Sequence, residues 1–278
     1  MSKRHLVIVH AGDASLHPQW LATGGSRNWD LVVAYHGDKP QRYPQSVAGA
    51  LLVKAPGAKW PALSGVLRDL GAALRSYDYV WLPDDDLVAA CDDINRMFDL
   101  MAALDLQLAQ PSLSPDGQRS HPLALRNAAF AVRFTSFVDQ AAAVFSRPLL
   151  EQVAPTFLQA APARGCDWPK LLDNPARQCA ILDCIQARRT GPGSDADSDA
   201  SALQVVYGAL DADGRLSSVF SEQGAEFVYR LCEGYLDCAA IGPESLGAIF
   251  TEHARIRQQF KRTATASAPK RQELVLKL

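Results

Sequence analysis

Tyr77-Asp-Tyr-Val-Trp-Leu-Pro-Asp-Asp-Asp-Leu87 decides how the chain is read. Its first half is apolar and aromatic, the composition that suits a buried, pleated strand. Pro83 has no N–H to give a sheet ladder, so the strand ends there. Asp84, Asp85 and Asp86 follow at once. A strand of an open α/β sheet that ends in acids delivers them to the crevice beyond the carboxyl ends of the strands, where such sheets bind ligands. Three adjacent anions repel one another unless a cation sits among them. A hard divalent ion shared by carboxylate oxygens and ligand phosphates fits that pattern. The same acids also read as a favourable charge at the start of a helix beginning near Ala89.

Upstream, His5-Leu-Val-Ile-Val-His10 is a continuous apolar run ended by Ala11-Gly12-Asp13, and Trp29-Asp-Leu-Val-Val-Ala-Tyr35 is another, ended by His36-Gly-Asp38. Continuous apolar runs predict strands covered on both faces. Two Gly-Asp ends side by side suggest a nucleotide site, with Asp13 and Asp38 framing the nucleoside. Each also reads as a plain turn. Residues 49–54 predict a third, short strand. Pro61 opens a helix to about Ser76, with Leu63, Val66, Leu67, Leu70 and Leu74 on one face. Lys59 then lies at a helix N-terminus, a natural place to meet phosphate or simply solvent.

Downstream, residues 87–104 predict a helix, with Ile94, Met97, Phe98, Met101 and Leu104 at helical spacing. Residues 107–110 predict a strand broken by Pro111. A loop carrying His121 follows, then strands over 129–137 and 138–145 and a helix over 148–157. In Gly165-Cys-Asp-Trp-Pro-Lys170, Asp167 is a helix N-cap or a general base. Residues 179–185 predict a last strand containing Asp183. Arg188 and Arg189 leave it, toward a pyrophosphate or toward solvent. Residues 191–201 read as a mobile polar linker. Asp211-Ala-Asp-Gly214 marks a hairpin, and residues 225–239 and 245–260 read as helices before a basic tail. The expected organisation is a catalytic-type domain over 1–190, a linker over 191–201, a small α+β C-terminal appendage over 202–262 and a tail over 263–278.

Composition bounds the function. The chain has 278 residues and 48% hydrophobic content, enough for a large α/β core. A net charge of −2 gives no basic surface for nucleic acid. No apolar run approaches the roughly 18 residues of a membrane span. The apolar run after the basic N-terminus is too short for a signal peptide, and the expected location is cytoplasmic. The six cysteines include no Cys-x-x-Cys pair and read as small buried hydrophobes.

The ordered series of motifs carries a resemblance. Strand-Gly-Asp twice, the Lys-Trp-Pro helix start and the Asp-rich strand are followed by Ala109-Gln-Pro-Ser-Leu113, Ser120-His-Pro122, Thr135-Ser-Phe-Val-Asp139, Val144-Phe-Ser-Arg147 and Asp167-Trp-Pro-Lys-Leu-Leu172. The series is similar to a family of glycosyltransferase-like proteins of unassigned biochemical function, over roughly residues 5–190. The resemblance implies a GT-A-like nucleotide-binding α/β sandwich with a mainly parallel central sheet. It implies a nucleotide-sugar donor and a hydroxyl acceptor. Asp84 and Asp86 would hold Mn²⁺ or Mg²⁺, Asp84, Lys59 and Arg189 would meet the donor diphosphate, and Asp139 or Asp167 would take the acceptor proton. Two departures matter. The segment before Asp167 is shorter than the Gly-Trp-Gly-Leu-Asp-like stretch of relatives. Arg189-Thr190 stands where relatives show His-Thr, and arginine binds no metal cation. Two further readings stand beside this one: a catalytically silent nucleotide-sugar or partner binder, and a haloacid-dehalogenase-like phosphohydrolase with Asp84 as nucleophile.

Overall fold

The computed structural model describes residues 4–22, 26–39, 50–117, 122–128, 130–158, 167–191, 206–210 and 216–218. The first apolar run becomes β1 (His5–Ala11), buried along its whole length. After the short helix α1 (Gln19–Ala22), the second run becomes β2 (Trp29–Tyr35). The two pair in parallel from His5↔Trp29 to Ala11↔Tyr35, so their Gly-Asp ends emerge side by side. Next come β3 (Ala50–Lys54), α2 (Lys59–Leu70), a 3₁₀ turn, and β4 (Tyr79–Trp81), the strand of the deciding stretch. β3, β2, β1 and β4 are parallel neighbours.

The remainder is mixed. β5 (Leu87–Val88) precedes α3 (Cys91–Leu104), β6 (Leu108–Leu113), β7 (Val132–Thr135), β8 (Val144–Ser146), α4 (Arg147–Val153), α5 (Pro175–Gln178) and β9 (Cys179–Arg189). β10 (Val206–Leu210) and β11 (Leu216–Ser218) form the expected hairpin. Among the described residues there is one 11-stranded sheet, ordered β11-β10-β7-β9-β6-β8-β4-β1-β2-β3, with β5 paired to β9 off that path. β6 and β9 are parallel, whereas β8 runs antiparallel between β4 and β6. The hairpin extends this sheet through β10 and β7. The linker, the later helices, the tail, His121, Gly165 and Cys166 lie outside the described residues.

Alternation along the strands divides the core into two layers. Val7, Val9, Leu31, Val33 and Trp81 face α3, where Ile94, Met97, Phe98 and Met101 pack against them. Leu6, Ile8, Val32, Val80 and Leu82 face α2 and α4, against Leu63, Val66, Leu67, Leu149 and Val153. At α4, Ser146 Oγ accepts the Leu149 N–H at 3.3 Å, an N-cap with proline in the first turn.

Several expected boundaries move. Leu87 and Val88 are not helix: they form β5 against the end of β9, and the helix starts at Cys91. Pro111 does not break its strand. It sits where the β6–β9 register jumps from Pro111↔Leu182 to Ser112↔Gln186, and such an irregularity is where a sheet tolerates proline. The last strand runs on to Arg189 rather than stopping near 185. The helix over α2 gives way to 3₁₀ at Gly71, whose φ of 48° suits glycine.

Candidate functional site

The acids after β4 are placed by backbone bonds. Leu82 and Asp84 donate N–H bonds to Ala143 O at 3.0 Å and Ala141 O at 2.7 Å, so the chain follows the 141–143 segment past Pro83. Asp85 O accepts the Leu16 N–H at 2.7 Å, and its Oδ2 accepts the Gly12 N–H at 2.8 Å. Asp85 thus ties the β1 loop to the triad. Asp86 O accepts both the Thr190 N–H and the Thr190 hydroxyl at 3.0 Å.

Two cations converge on the same acids. Lys59, the first residue of α2, donates from Nζ to Asp84 Oδ1 at 2.5 Å and to Gln140 O at 3.1 Å, and lies over the Trp60 ring. Arg189 is the last residue of β9. β5 pairs Leu87 with Arg189, and strand alternation then exposes Arg188 and turns Arg189 inward. Its Nη2 donates to Asp84 Oδ2 at 3.0 Å and its Nε to Asp86 Oδ2 at 3.2 Å. Burial alone would lower the guanidinium pKa, but Asp84, Asp86 and Asp139 outweigh it and hold it above its ordinary value.

The pieces are packed without slack. A Cβ on Gly191 would lie 2.3 Å from Asp86 Oδ2, and one on Gly117 would lie 2.8 Å from Arg189 O. Sequence pattern assigns no site role to either glycine or to the Gln140 carbonyl, and it marks Asp85 and Thr190 only as members of the acid run and of the Arg189-Thr190 pair.

The nucleoside-side residues divide. Asp13 Oδ1 accepts from the Tyr35 hydroxyl and from the Lys39 N–H at 3.0 Å, and Oδ2 from the Asp38 N–H at 3.4 Å. The Tyr35 bond, with the two N–H groups, holds the Asp13 carboxyl below its usual range. Asp13 therefore binds the β2 loop, not open space, while the Asp38 side chain is exposed at the same edge. His36 stacks on His10 with ring centroids 4.3 Å apart, and burial lowers the His10 pKa.

The two candidate bases are not placed as expected. Asp139 is fully buried. Its N–H donates to Gln110 Oε1 at 2.5 Å and its Oδ1 accepts the Ala141 N–H at 2.9 Å. It shapes the loop that holds Asp84 and Lys59, and an acceptor hydroxyl cannot reach it there. Asp167 makes no capping bond and pairs with Lys170 at 2.6 Å. Its neighbour Trp168 packs on Trp60 and Phe145, on the α2 and α4 side of the sheet. Asp183, noted only as an acid within a strand, is fully buried and bound by Arg133 at 2.6 and 2.8 Å. Burial pushes its pKa up and Arg133 opposes that shift.

The expected Mn²⁺ or Mg²⁺ does not fit the donor set as it stands. Three of the four outer carboxylate oxygens of Asp84 and Asp86 already accept from Lys59 or Arg189, and the fourth, Asp86 Oδ1, is buried without a hydrogen-bond partner. Among the described residues no three His, Cys, Asp or Glu side chains are grouped to hold a metal. The described cysteines are buried thiols, and burial pushes Cys179 up to about 12.

No family model and no curated protein matches the chain. Solved structures of S. aureus TarS are similar to it at low identity. The fragment 1–349 matches with a TM-score of 0.48 and 10% identity, over 67% of this chain and 60% of that one. A longer TarS matches with 0.49 and 9%, over 68% of this chain and 37% of that one. The fragment in complex with UDP-GlcNAc matches with 0.49 and 10%, over 95% of this chain and 76% of that one. In the first two, the chain spans 60% and 37% of the TarS length.

Proposed function

We propose that the chain is a nucleotide-sugar-dependent glycosyltransferase of GT-A type, which binds its donor in the crevice beyond β2, β1 and β4 and transfers the sugar to an acceptor hydroxyl. One observation carries this reading. Two of the three acids at the end of β4, Asp84 and Asp86, meet a lysine from the start of α2 and an arginine from the end of β9, at the carboxyl edge of parallel strands. Binding sites of open α/β sheets lie at that edge. The nucleoside lies over the ends of β1 and β2, beside Asp38 and His36. The diphosphate lies over the first turn of the 12-residue α2, where unpaired N–H groups and Lys59 favour an anion. Fixed positive charge there offsets the charge that grows on the departing diphosphate.

The burial of Asp139 and the pairing of Asp167 favour a second reading, a nucleotide-sugar binder without turnover. The phosphohydrolase reading gains no such support: both oxygens of Asp84 are held by cations, and β4 is not a first strand. The deciding experiment measures nucleoside diphosphate release from a panel of nucleotide sugars. Release that falls about 100-fold or more in Lys59→Ala supports the transferase, by analogy with loss of one transition-state charge partner. Binding with no release supports the silent binder. Neither binding nor release removes both.

A further inference from the structure

We infer that Arg189 is the resident counter-cation of Asp84 and Asp86, its guanidinium taking the place a divalent ion would need, so that this crevice meets a diphosphate with fixed side-chain cations and without a metal. The geometry is specific. One guanidinium bridges the two outer acids at 3.0 and 3.2 Å, and Lys59 takes the remaining oxygen of Asp84 at 2.5 Å. Mg²⁺ demands near-octahedral oxygen ligation, and Ca²⁺-sized ions take six or more oxygens. Here the guanidinium would have to leave first.

Leaving is obstructed. The Arg189 side chain is 8% exposed, so swinging it out would strand a buried charge or tear the packing around it. Its backbone is held by the Leu87 and Val88 ladder, and the chain passes so close at Gly117 that a Cβ there would lie 2.8 Å from the Arg189 carbonyl oxygen. Thr190 clamps the Asp86 carbonyl with two bonds. The charge count agrees. Asp84, Asp85 and Asp86 carry three negative charges, and Lys59 and Arg189 carry two positive ones. The triad is nearly neutralised from within. In this arrangement the acids are positioning residues: they hold two cations at the floor of the crevice.

The inference rests on the donor reading only for what the cations meet. Its metal half stands alone and is tested without nucleotide, so failure of one leaves the other measurable. The experiment is a Mn²⁺ titration of the full chain, with free ion followed by electron paramagnetic resonance. The wild type is expected to show no site tighter than about 1 mM, the weak end of oxygen-ligand sites. Arg189→Gln, which keeps bulk and hydrogen bonding but removes the charge, is expected to gain Mn²⁺ affinity at least about tenfold, by freeing one oxygen of each acid. Adding Asp86→Asn to Arg189→Gln is expected to remove that gain. Tight Mn²⁺ binding by the wild type that Asp86→Asn abolishes overturns the inference. So does an Arg189→Gln protein that is folded by circular dichroism yet binds Mn²⁺ no better than wild type. If Arg189→Gln does not fold, wild type against Asp86→Asn decides alone.

Discussion

Two arginines grip aspartates in this sheet, one pair on β7 and β9 and the other between the end of β9 and the acids after β4, and they do so differently. Arg133 on β7 and Asp183 on β9 are 7% and 0% exposed, and every guanidinium nitrogen is hydrogen-bonded: two bonds to the carboxylate, one each to Leu123 O and Leu125 O. The Asn127 N–H completes Asp183 at 2.7 Å. Arg189 is as buried, at 8%, but Asp84 and Asp86 are 25% and 21% exposed, and Asp86 Oδ1 has no hydrogen-bond partner. A fully satisfied buried pair pins a structure, here the 122–128 segment to the sheet. An incompletely satisfied pair whose acids are partly exposed at the carboxyl ends of parallel strands leaves an oxygen unpartnered and keeps two cations within reach of a ligand.

Breaking the pin should have the largest effect. Asp183→Ala leaves the Arg133 charge buried and unpaired, and should cost about 3–5 kcal/mol by chemical denaturation, with nucleotide binding lost only through unfolding. Arg189→Ala should cost less, about 1–3 kcal/mol, because Asp84 keeps Lys59 and both acids reach water. Its signature is functional: the response to nucleoside diphosphate disappears while the circular dichroism spectrum is retained. Gly191→Ala should cost about 1 kcal/mol, as Asp86 shifts away from the new methyl group. It should weaken donor binding more than stability, as read by calorimetric titration.

Acid sharpens the contrast without touching either arginine. Burial lowers His5 and His17 to about 4, from an ordinary 6.5. A folded pKa below the unfolded one means the unfolded chain binds more protons between those values. Stability from neutral burial of the two rings is therefore complete above pH 6.5 and is lost as pH falls toward 4. Asp13 acts in a lower window, below its ordinary 3.8, since its folded pKa is depressed. Replacing His17 with Gln should flatten the slope of the denaturation midpoint between pH 6.5 and 4. The smallest effect belongs to Asp167→Asn, which loses one exposed ion pair with Lys170 and should change stability by less than about 0.5 kcal/mol. If the silent-binder reading holds, it should leave donor binding unchanged as well.

Local pattern explains how much was legible. β1 and β2 were read nearly to the residue, because an apolar run bounded by glycine and acid is a local signal. The placement of Asp84 and Lys59 also followed, since each sits at the end of an element whose pattern is strong. What sequence left open was long-range. Whether Arg189 faced a ligand or solvent depended on the Leu87↔Arg189 register, set by two residues that helical spacing had absorbed into the next helix. Pro111 misled because a β-ladder irregularity has no one-strand signature. Asp139 misled because its acidity is local but its burial is not: Gln110, 29 residues away, encloses it.

The central claim is that this crevice binds a nucleoside diphosphate with Lys59 and Arg189 and needs no metal. The most direct measurement is thermal shift of the wild-type protein against nucleoside diphosphates and nucleotide sugars, each with Mn²⁺, Mg²⁺ or EDTA. A ligand at about 100 times its dissociation constant adds about 2.7 kcal/mol, a readily measured shift. The account predicts a shift with one base that is the same in EDTA as in Mn²⁺ and is absent in Arg189→Ala. A shift that vanishes in EDTA, or no shift with any nucleotide, would contradict it.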